Sequence, residues 1–384
     1  MTSPAEAAIR AEIARRGPIP FAAFQALALA HPGGGDYAGA TPRPTRDGDF
    51  LTAPELHPIF GAALARQVAE AWDRLGRPEP FTLVEYGAGA GTLALAILAG
   101  LREDETRLAE ALRYAPVELN EHRRAELRDR AASKGLVLVD AAALDDAPVA
   151  GVVLANEFLD ALPVHVVEVH EGRPREVLVA TGCDGAFEEV LGELSSPAVA
   201  EHLAALDAAG VALLEGQRLE VRPAVAAWAA EVGRRLATGL VLVLDYGAPA
   251  SDLYAPRRRA GTLMTYRGHV ADGSPDAPYH EVGERDITAH VDTTALAAAL
   301  GAAGLDLLGE TSQAELLVGC GLQGLLQHAQ AAAETTLEAL ELRSAVMRLL
   351  DPRHLGGFRA VLAGRGIAAD PPLRGMAYRM PGRA

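Results

Sequence analysis

Three glycines at alternate positions, Gly87, Gly89 and Gly91, follow an apolar run that ends in Glu85 and precede a helix-forming stretch, in VEYGAGAGTLALAIL at 84 to 98. Glycine lets a backbone turn sharply and approach a ligand without Cβ interference, and a helix start offers unpaired N–H groups. The chemistry this suits is nucleotide binding, and the bland alternative is a tight strand-to-helix turn. A dinucleotide loop would read G-x-G-x-x-G, whereas here the third glycine falls early and Thr92 stands in its place, which disfavours NAD. The next apolar run, APVEL, ends at Glu118, where a carboxylate can accept hydrogen bonds from both hydroxyls of a ribose. A third, GLVLVD, ends at Asp140, which either meets an adenine amino group or simply terminates a strand. The fourth delivers ANEFLDALP, with Asn156, Glu157 and Asp160 just past its end. His290 and Asp292 lie in DITAHVDTTAL before another helix. Asp292 reads as its N-cap, and His290 as a pocket base or a structural histidine.

These residues need a frame that sets them side by side, and the sequence supplies one. From Phe81 the pattern is strand, turn, helix, repeated: FTLVEY, APVEL, GLVLVD and GVVLAN, with LVLVLDYG resuming it after a break. Such alternation predicts a doubly wound, mainly parallel sheet covered by helices on both faces. Ligands of such sheets bind outside the carboxyl ends of the strands, in the crevice where Glu157 and Asp160 fall. Asp245 and Tyr246 end the fifth strand and face the same crevice by topology.

The rest of the chain reads as additions to this core. Residues 1 to 78 form an N-terminal helical segment, broken by a Gly/Pro-rich loop from His31 to Asp49; in it, Thr52 opens a helix that closes on Gly76. Residues 79–163 are the first half of the core and 164–218 an insertion containing the hairpin VHVVEVHEGRPREVLVATG. Core resumes over 219–247, a second insertion or lid spans 248–285 with Tyr266 and Arg267, and 286–384 completes the core.

Composition bounds the partners. A hydrophobic content of 49% in 384 residues is ample for a large core, and the longest apolar runs are strand-sized, short of a membrane span. The charged N-terminus lacks the apolar block of a signal peptide, so the expected location is the cytoplasm. A formal charge of -16 argues against nucleic acid and is compatible with a basic protein or peptide partner. Cys183 and Cys320 are too far apart for a metal-binding spacing, and the histidines show no zincin pattern, so no metal is expected.

Asn156, Glu157, Phe158, Asp160, Ala161, Leu162 and Pro163 reproduce NEF-x-DALP, and further motifs follow in order along nearly the whole chain. They are GPIPF at Gly17 to Phe21, HP at His31, GDF-x-T-x-PE at Gly48 to Glu55, LDYG at Leu244, GTL-x-x-YR at Gly261 to Arg267 and DITAHVD at Asp286 to Asp292. Together with the E-x-G-x-G-x-G loop, this pattern resembles the MidA family of class I S-adenosylmethionine-dependent methyltransferases. The resemblance implies a Rossmann-like methyltransferase core with an inserted, substrate-facing subdomain. It implies S-adenosylmethionine as cofactor and S-adenosylhomocysteine as product, with Thr52, Glu55, Glu85, Gly87, Gly89, Gly91, Thr92, Glu118, Asp140 and Asn156 as the cofactor set. The family's mitochondrial members look like protein arginine methyltransferases acting in respiratory complex I assembly. Two departures stand out: Ala88 and Ala90 replace proline and arginine in the loop, and HPGGGDYAG replaces an aromatic-rich HPxxGYY.

An arginine acceptor is a planar cation that carboxylates must grip and orient. Glu157 and Asp160 are placed for that, with His290 beside them as the third catalytic candidate; the plain alternative is that Glu157 caps a turn and Asp160 is a surface charge. Rival functions are methylation of a small-molecule or peptide natural product and a non-catalytic assembly factor keeping the fold. The oligomeric state stays open, a homodimer among the options.

Overall fold

The computed structural model describes residues 2–37, 52–267 and 270–380. The HP-x-x-G loop beyond Tyr37 and the start of GDF-x-T-x-PE, Gly48 to Leu51, lie outside the described residues. The chain divides into two compact units.

One unit, Leu51–Phe158, Ala229–Tyr246 and Ala297–Ala384, holds the central sheet. Its strands are β1 (Phe81–Tyr86), β2 (Leu112–Val117), β3 (Val137–Leu138), β4 (Val149–Asn156), β5 (Leu236–Asp245), β6 (Asp306–Ser312) and β7 (Arg359–Arg365). Across the sheet they run β3-β2-β1-β4-β5-β7-β6. β1 to β5 pair in parallel, and β7 is antiparallel to both β5 and β6. The run FTLVEY is buried throughout, as is most of LVLVLD, because helices cover both faces and leave no solvent side for polar alternation. Gly151 lets β1 and β4 approach: a Cβ there would sit 1.9 Å from the Thr82 carbonyl oxygen. The order of connection reverses between β1 and β4, which makes the gap beyond their carboxyl ends the switch point of the sheet.

Two sequence expectations change in detail. The helix expected from Thr52 to Gly76 is two helices, Ala53–Leu56 and Ile59–Arg74. Pro58 follows the break; a residue before proline is pushed out of the helical region, and His57 is extended at φ -166. The third strand is shorter than GLVLVD, with only Val137–Leu138 in the ladder.

The other unit, Met1–Phe50, Leu159–Trp228 and Gly247–Leu296, gathers the first 50 residues of the N-terminal segment and both insertions. The expected hairpin is there as His165–His170 and Arg173–Thr181, part of a five-stranded antiparallel sheet. Helices Pro4–Arg16 and Phe21–Ala30 bury Ile9, Phe21 and Phe24 against Val166, Val177 and Val179 of that sheet. Three short strands, Met264–Arg267, Val270–Asp272 and Asp286–Thr288, form a second small antiparallel sheet.

Candidate functional site

Beyond Tyr86 the chain leaves β1 sideways: the Gly87 and Ala88 amides both donate to the Val117 carbonyl at the end of β2, at 2.9 and 3.3 Å. Gly87, Gly89 and Gly91 all have positive φ (69, 53 and 76), a conformation costly for residues with a Cβ. They are glycine for different reasons. A Cβ on Gly87 would come within 3.2 Å of the Phe158 ring and one on Gly91 within 3.1 Å of Leu127, whereas one on Gly89 would meet no atom of the described residues within 4 Å. The loop therefore has one open side, at Gly89.

Glu118 locks the loop. Its Oε2 accepts from the Gly89 amide at 2.7 Å and its Oε1 from the Asn120 amide at 2.8 Å. A carboxylate oxygen has a second lone pair, so both remain able to accept from ribose hydroxyls. Arg130, which sequence reasoning missed, donates to the Ala90 carbonyl and to Thr92 Oγ1, at 2.9 and 3.1 Å. Leu119 was missed as well: it is 75% exposed beside Glu118, an apolar surface of the kind an aromatic base would cover. A leucine directly after the strand-terminal carboxylate was the available signal; nothing in sequence pointed to Arg130.

Glu85 faces the core instead. It is 4% exposed, its Oε2 accepts from the Tyr114 hydroxyl at 2.5 Å, and burial pushes its carboxyl up to about 8. Its described contact is thus a support beneath the loop. Asp140 is exposed and accepts from the Ala142 amide at 3.0 Å, capping a short 3-10 turn.

At the end of β4, Glu157 adopts φ 49, a left-handed conformation for a residue with a side chain. Its amide donates to the Leu244 carbonyl at 2.8 Å, and the Phe158 amide donates to Asp245 Oδ2 at 3.2 Å. Asp245, 2% exposed, also accepts from the Tyr246 amide at 2.8 Å, so the fifth-strand aspartate pins the turn that carries Glu157. Glu157 Oε1 accepts from the Ala53 amide and from Asn156 Nδ2, each at 3.2 Å. That contact brings the Thr52–Glu55 segment to β4. Thr52 starts the helix without a side-chain cap, and Glu55 is exposed.

Asp160 and His290 belong to the other unit. Asp160 is 5% exposed, and its charge is one of those raising the Tyr266 hydroxyl, after burial. Arg222 donates to the Asp160, Leu162, Ala289 and His290 carbonyls at 2.8, 2.9, 2.9 and 3.3 Å. The His290 amide donates to Thr262 Oγ1 at 3.0 Å. Burial first, then the Arg258 and Arg222 charges, push the His290 imidazole down to about 4, so it is neutral at physiological pH. Asp292 accepts from the Thr294 and Ala295 amides at 2.9 and 3.1 Å, as an N-cap does.

An open glycine loop at a switch point, a carboxylate at the end of the neighbouring strand, and a sheet with β7 alone antiparallel define a class I methyltransferase. The residues present fit an adenosyl cofactor: space over Gly89, acceptors at Glu118 and an apolar face at Leu119. The profile of a family described as "Putative S-adenosyl-L-methionine-dependent methyltransferase" matches residues 63–311, and the chain belongs to that family. It is similar to a crystal structure from Burkholderia thailandensis bound to S-adenosyl-homocysteine, with 34% identity, a TM-score of 0.83, and coverage of 97% of this chain and 94% of that one. A curated relative, the mitochondrial protein arginine methyltransferase NDUFAF7 homolog of Drosophila melanogaster, is 30% identical over 74% of this chain and 67% of that protein. The NDUFAF7 protein of Danio rerio is 26% identical over 91% of this chain and 83% of that protein. The MidA resemblance read from NEF-x-DALP therefore holds.

Proposed function

We propose that this methyltransferase transfers the methyl group to an arginine side chain of a protein or peptide. The observation that carries the reading is Glu157, a carboxylate held in a left-handed turn immediately beside the glycine loop. Turns of this kind persist where the surroundings over-determine them, and here two backbone hydrogen bonds from Glu157 and Phe158 do so. The names of the fly and zebrafish relatives favour the same acceptor.

S-adenosylmethionine supplies an electrophilic methyl group on a sulfonium. The chain's own residues then have three tasks. Gly89 leaves room for the cofactor and Glu118 holds its ribose. Phe158, packed on Tyr86 with ring centroids 5.5 Å apart, excludes water from the floor of the site. Glu157 accepts hydrogen bonds from the guanidinium, offsets its charge and fixes which nitrogen faces the methyl group. The nitrogen that gains the methyl must release one proton, and a carboxylate in contact with it favours that release. The chain's charge of -16 suits a basic acceptor segment.

The test is to incubate the protein with labelled methyl donor and host lysate, hydrolyse the labelled product and identify the methylated residue. Methylarginine is the expected outcome. Label on oxygen or carbon, or on a small molecule, would overturn the arginine assignment and leave the methyltransferase standing.

A further inference from the structure

The helix Thr336–Leu350 carries apolar residues on both of its faces. One face buries Leu342, Ala345, Val346 and Leu349 against its own unit. The opposite face leaves Leu337, Leu340 and Met347 at 64, 56 and 70% exposure among the described residues. Spacings of three and seven residues set these side chains in one stripe along the helix, with Ser344 between the last two. Single exposed hydrophobes are ordinary, whereas a row of them on one element marks a contact surface.

Charge says what covers it. The protein has a formal charge of -16, so two copies repel overall. This helix is a neutral window in that field, because Glu338 and Glu341 are balanced by Arg343 and Arg348. The order of the signs matters too, since both acids precede both bases. Glu341 and Arg348 stand seven residues apart, hence on one flank of the stripe, and neither has an ion-pair partner among the described residues. About a two-fold axis, a residue that meets a second one is met by it in return. Antiparallel helices related in that way bring Glu341 of each copy to Arg348 of the other and set Leu340 of each near Met347 of the other, with the small Ser344 beside the axis. A parallel pairing would set Glu341 against Glu341. We propose that the helix Thr336–Leu350 is a homodimer interface, through which two copies of this chain pair antiparallel about a two-fold axis. The proposal is independent of the methyl acceptor.

The test is sedimentation velocity between about 1 and 100 µM, the range in which a small interface dissociates. The wild type should shift from one chain to two as concentration rises. Leu340→Gln and Met347→Gln, at exposed positions that leave the core untouched, should each weaken the dimer by about tenfold or more. Thermal melting checks that every variant is folded. Glu341→Arg and Arg348→Glu should each weaken it by about tenfold, because like charges then face each other, and the double reversal should recover wild-type affinity within about threefold. A wild type that stays monomeric throughout would overturn the proposal and leave the face to a different protein. A dimer that ignores Met347→Gln would overturn it as well, because it must use another surface. Single reversals that change nothing, or a double variant that does not recover, would overturn the antiparallel pairing.

Discussion

At the carboxyl ends of β1, β2 and β4, surface is left open: a Cβ on Gly89 would meet no described atom within 4 Å, Leu119 lies bare and Asn156 Oδ1 has no partner among the described residues. In the other unit several buried polar groups close on one another. Glu220, 7% exposed, accepts from the Thr262 amide and from its hydroxyl at 2.9 Å. Gly261 makes room for it, since a Cβ there would sit 2.1 Å from Glu220 Oε1. Arg222 gathers four carbonyls and Asp292 caps a helix. Unspent hydrogen-bonding capacity is what a ligand needs, and saturated networks hold shape. The contrast leaves the first region with hydrogen-bonding capacity to offer a ligand.

The sharpest way to break that contrast is Gly89→Val. A branched side chain would fill the open side, and S-adenosylhomocysteine affinity should fall beyond calorimetric detection. The positive φ adds strain of about 1–2 kcal/mol, so melting should drop by only a few degrees. Retained affinity would show that the open side is not where the ligand lies.

Next in size is Arg222→Met, which keeps bulk but strips four carbonyls of their donor. We expect a loss of about 3 kcal/mol of stability, read from urea unfolding. A loss below about 1 kcal/mol would mean that the network is not the scaffold it resembles.

Glu157→Gln should leave S-adenosylhomocysteine affinity within about twofold while single turnover on the identified acceptor slows by about 100-fold, the scale of a lost charged contact. A parallel fall in cofactor affinity would move Glu157 into the cofactor site.

The last test is in pH dependence, where two groups act with opposite signs. His290 titrates near 4 in the folded protein against 6.5 unfolded, so the unfolded chain takes up the proton first. Its share of stability is complete above about pH 6.5 and drains as pH falls towards 4, a change of about 2–3 kcal/mol that His290→Gln should abolish. Glu85 titrates near 8 folded against 4.5 unfolded. Its share is complete below about pH 4.5 and is lost as pH rises to 8, so Glu85→Gln should flatten a decline on that side. Unfolding curves from pH 4 to 8.5 on both variants would show whether the two slopes separate.

Much of this was legible in sequence for a physical reason. Strands buried on both faces read as continuous apolar runs, and glycine at positive φ has few substitutes, so the core order and the loop could be read directly. The fifth-strand LDYG motif drew attention to Asp245, but not to its hold on the Phe158 amide, because pairing across β4 and β5 is set by register rather than local pattern. The roles of Glu85 and His290 were hidden similarly: burial, which no single residue announces, turned one towards Tyr114 and made the other neutral. Asp160 and Glu157 look like one pair in sequence, yet the division between units falls between them, after Phe158.

Strand order in the central sheet bears on how the protein is made. Among the described residues β6 pairs with β7 alone, which is wedged between it and β5 although it is the last of the seven to be synthesised. While the ribosome is still working, β5 therefore presents an open edge of apolar backbone and β6 has nothing to dock on. The chain also crosses between its two units five times, so the unit that holds the sheet cannot be finished until the residues from Ala297 onward have emerged. Nascent chains in this state expose unpaired strands for many seconds and should lean on chaperones, and a stop codon anywhere before Arg359 should yield aggregate rather than a shorter enzyme.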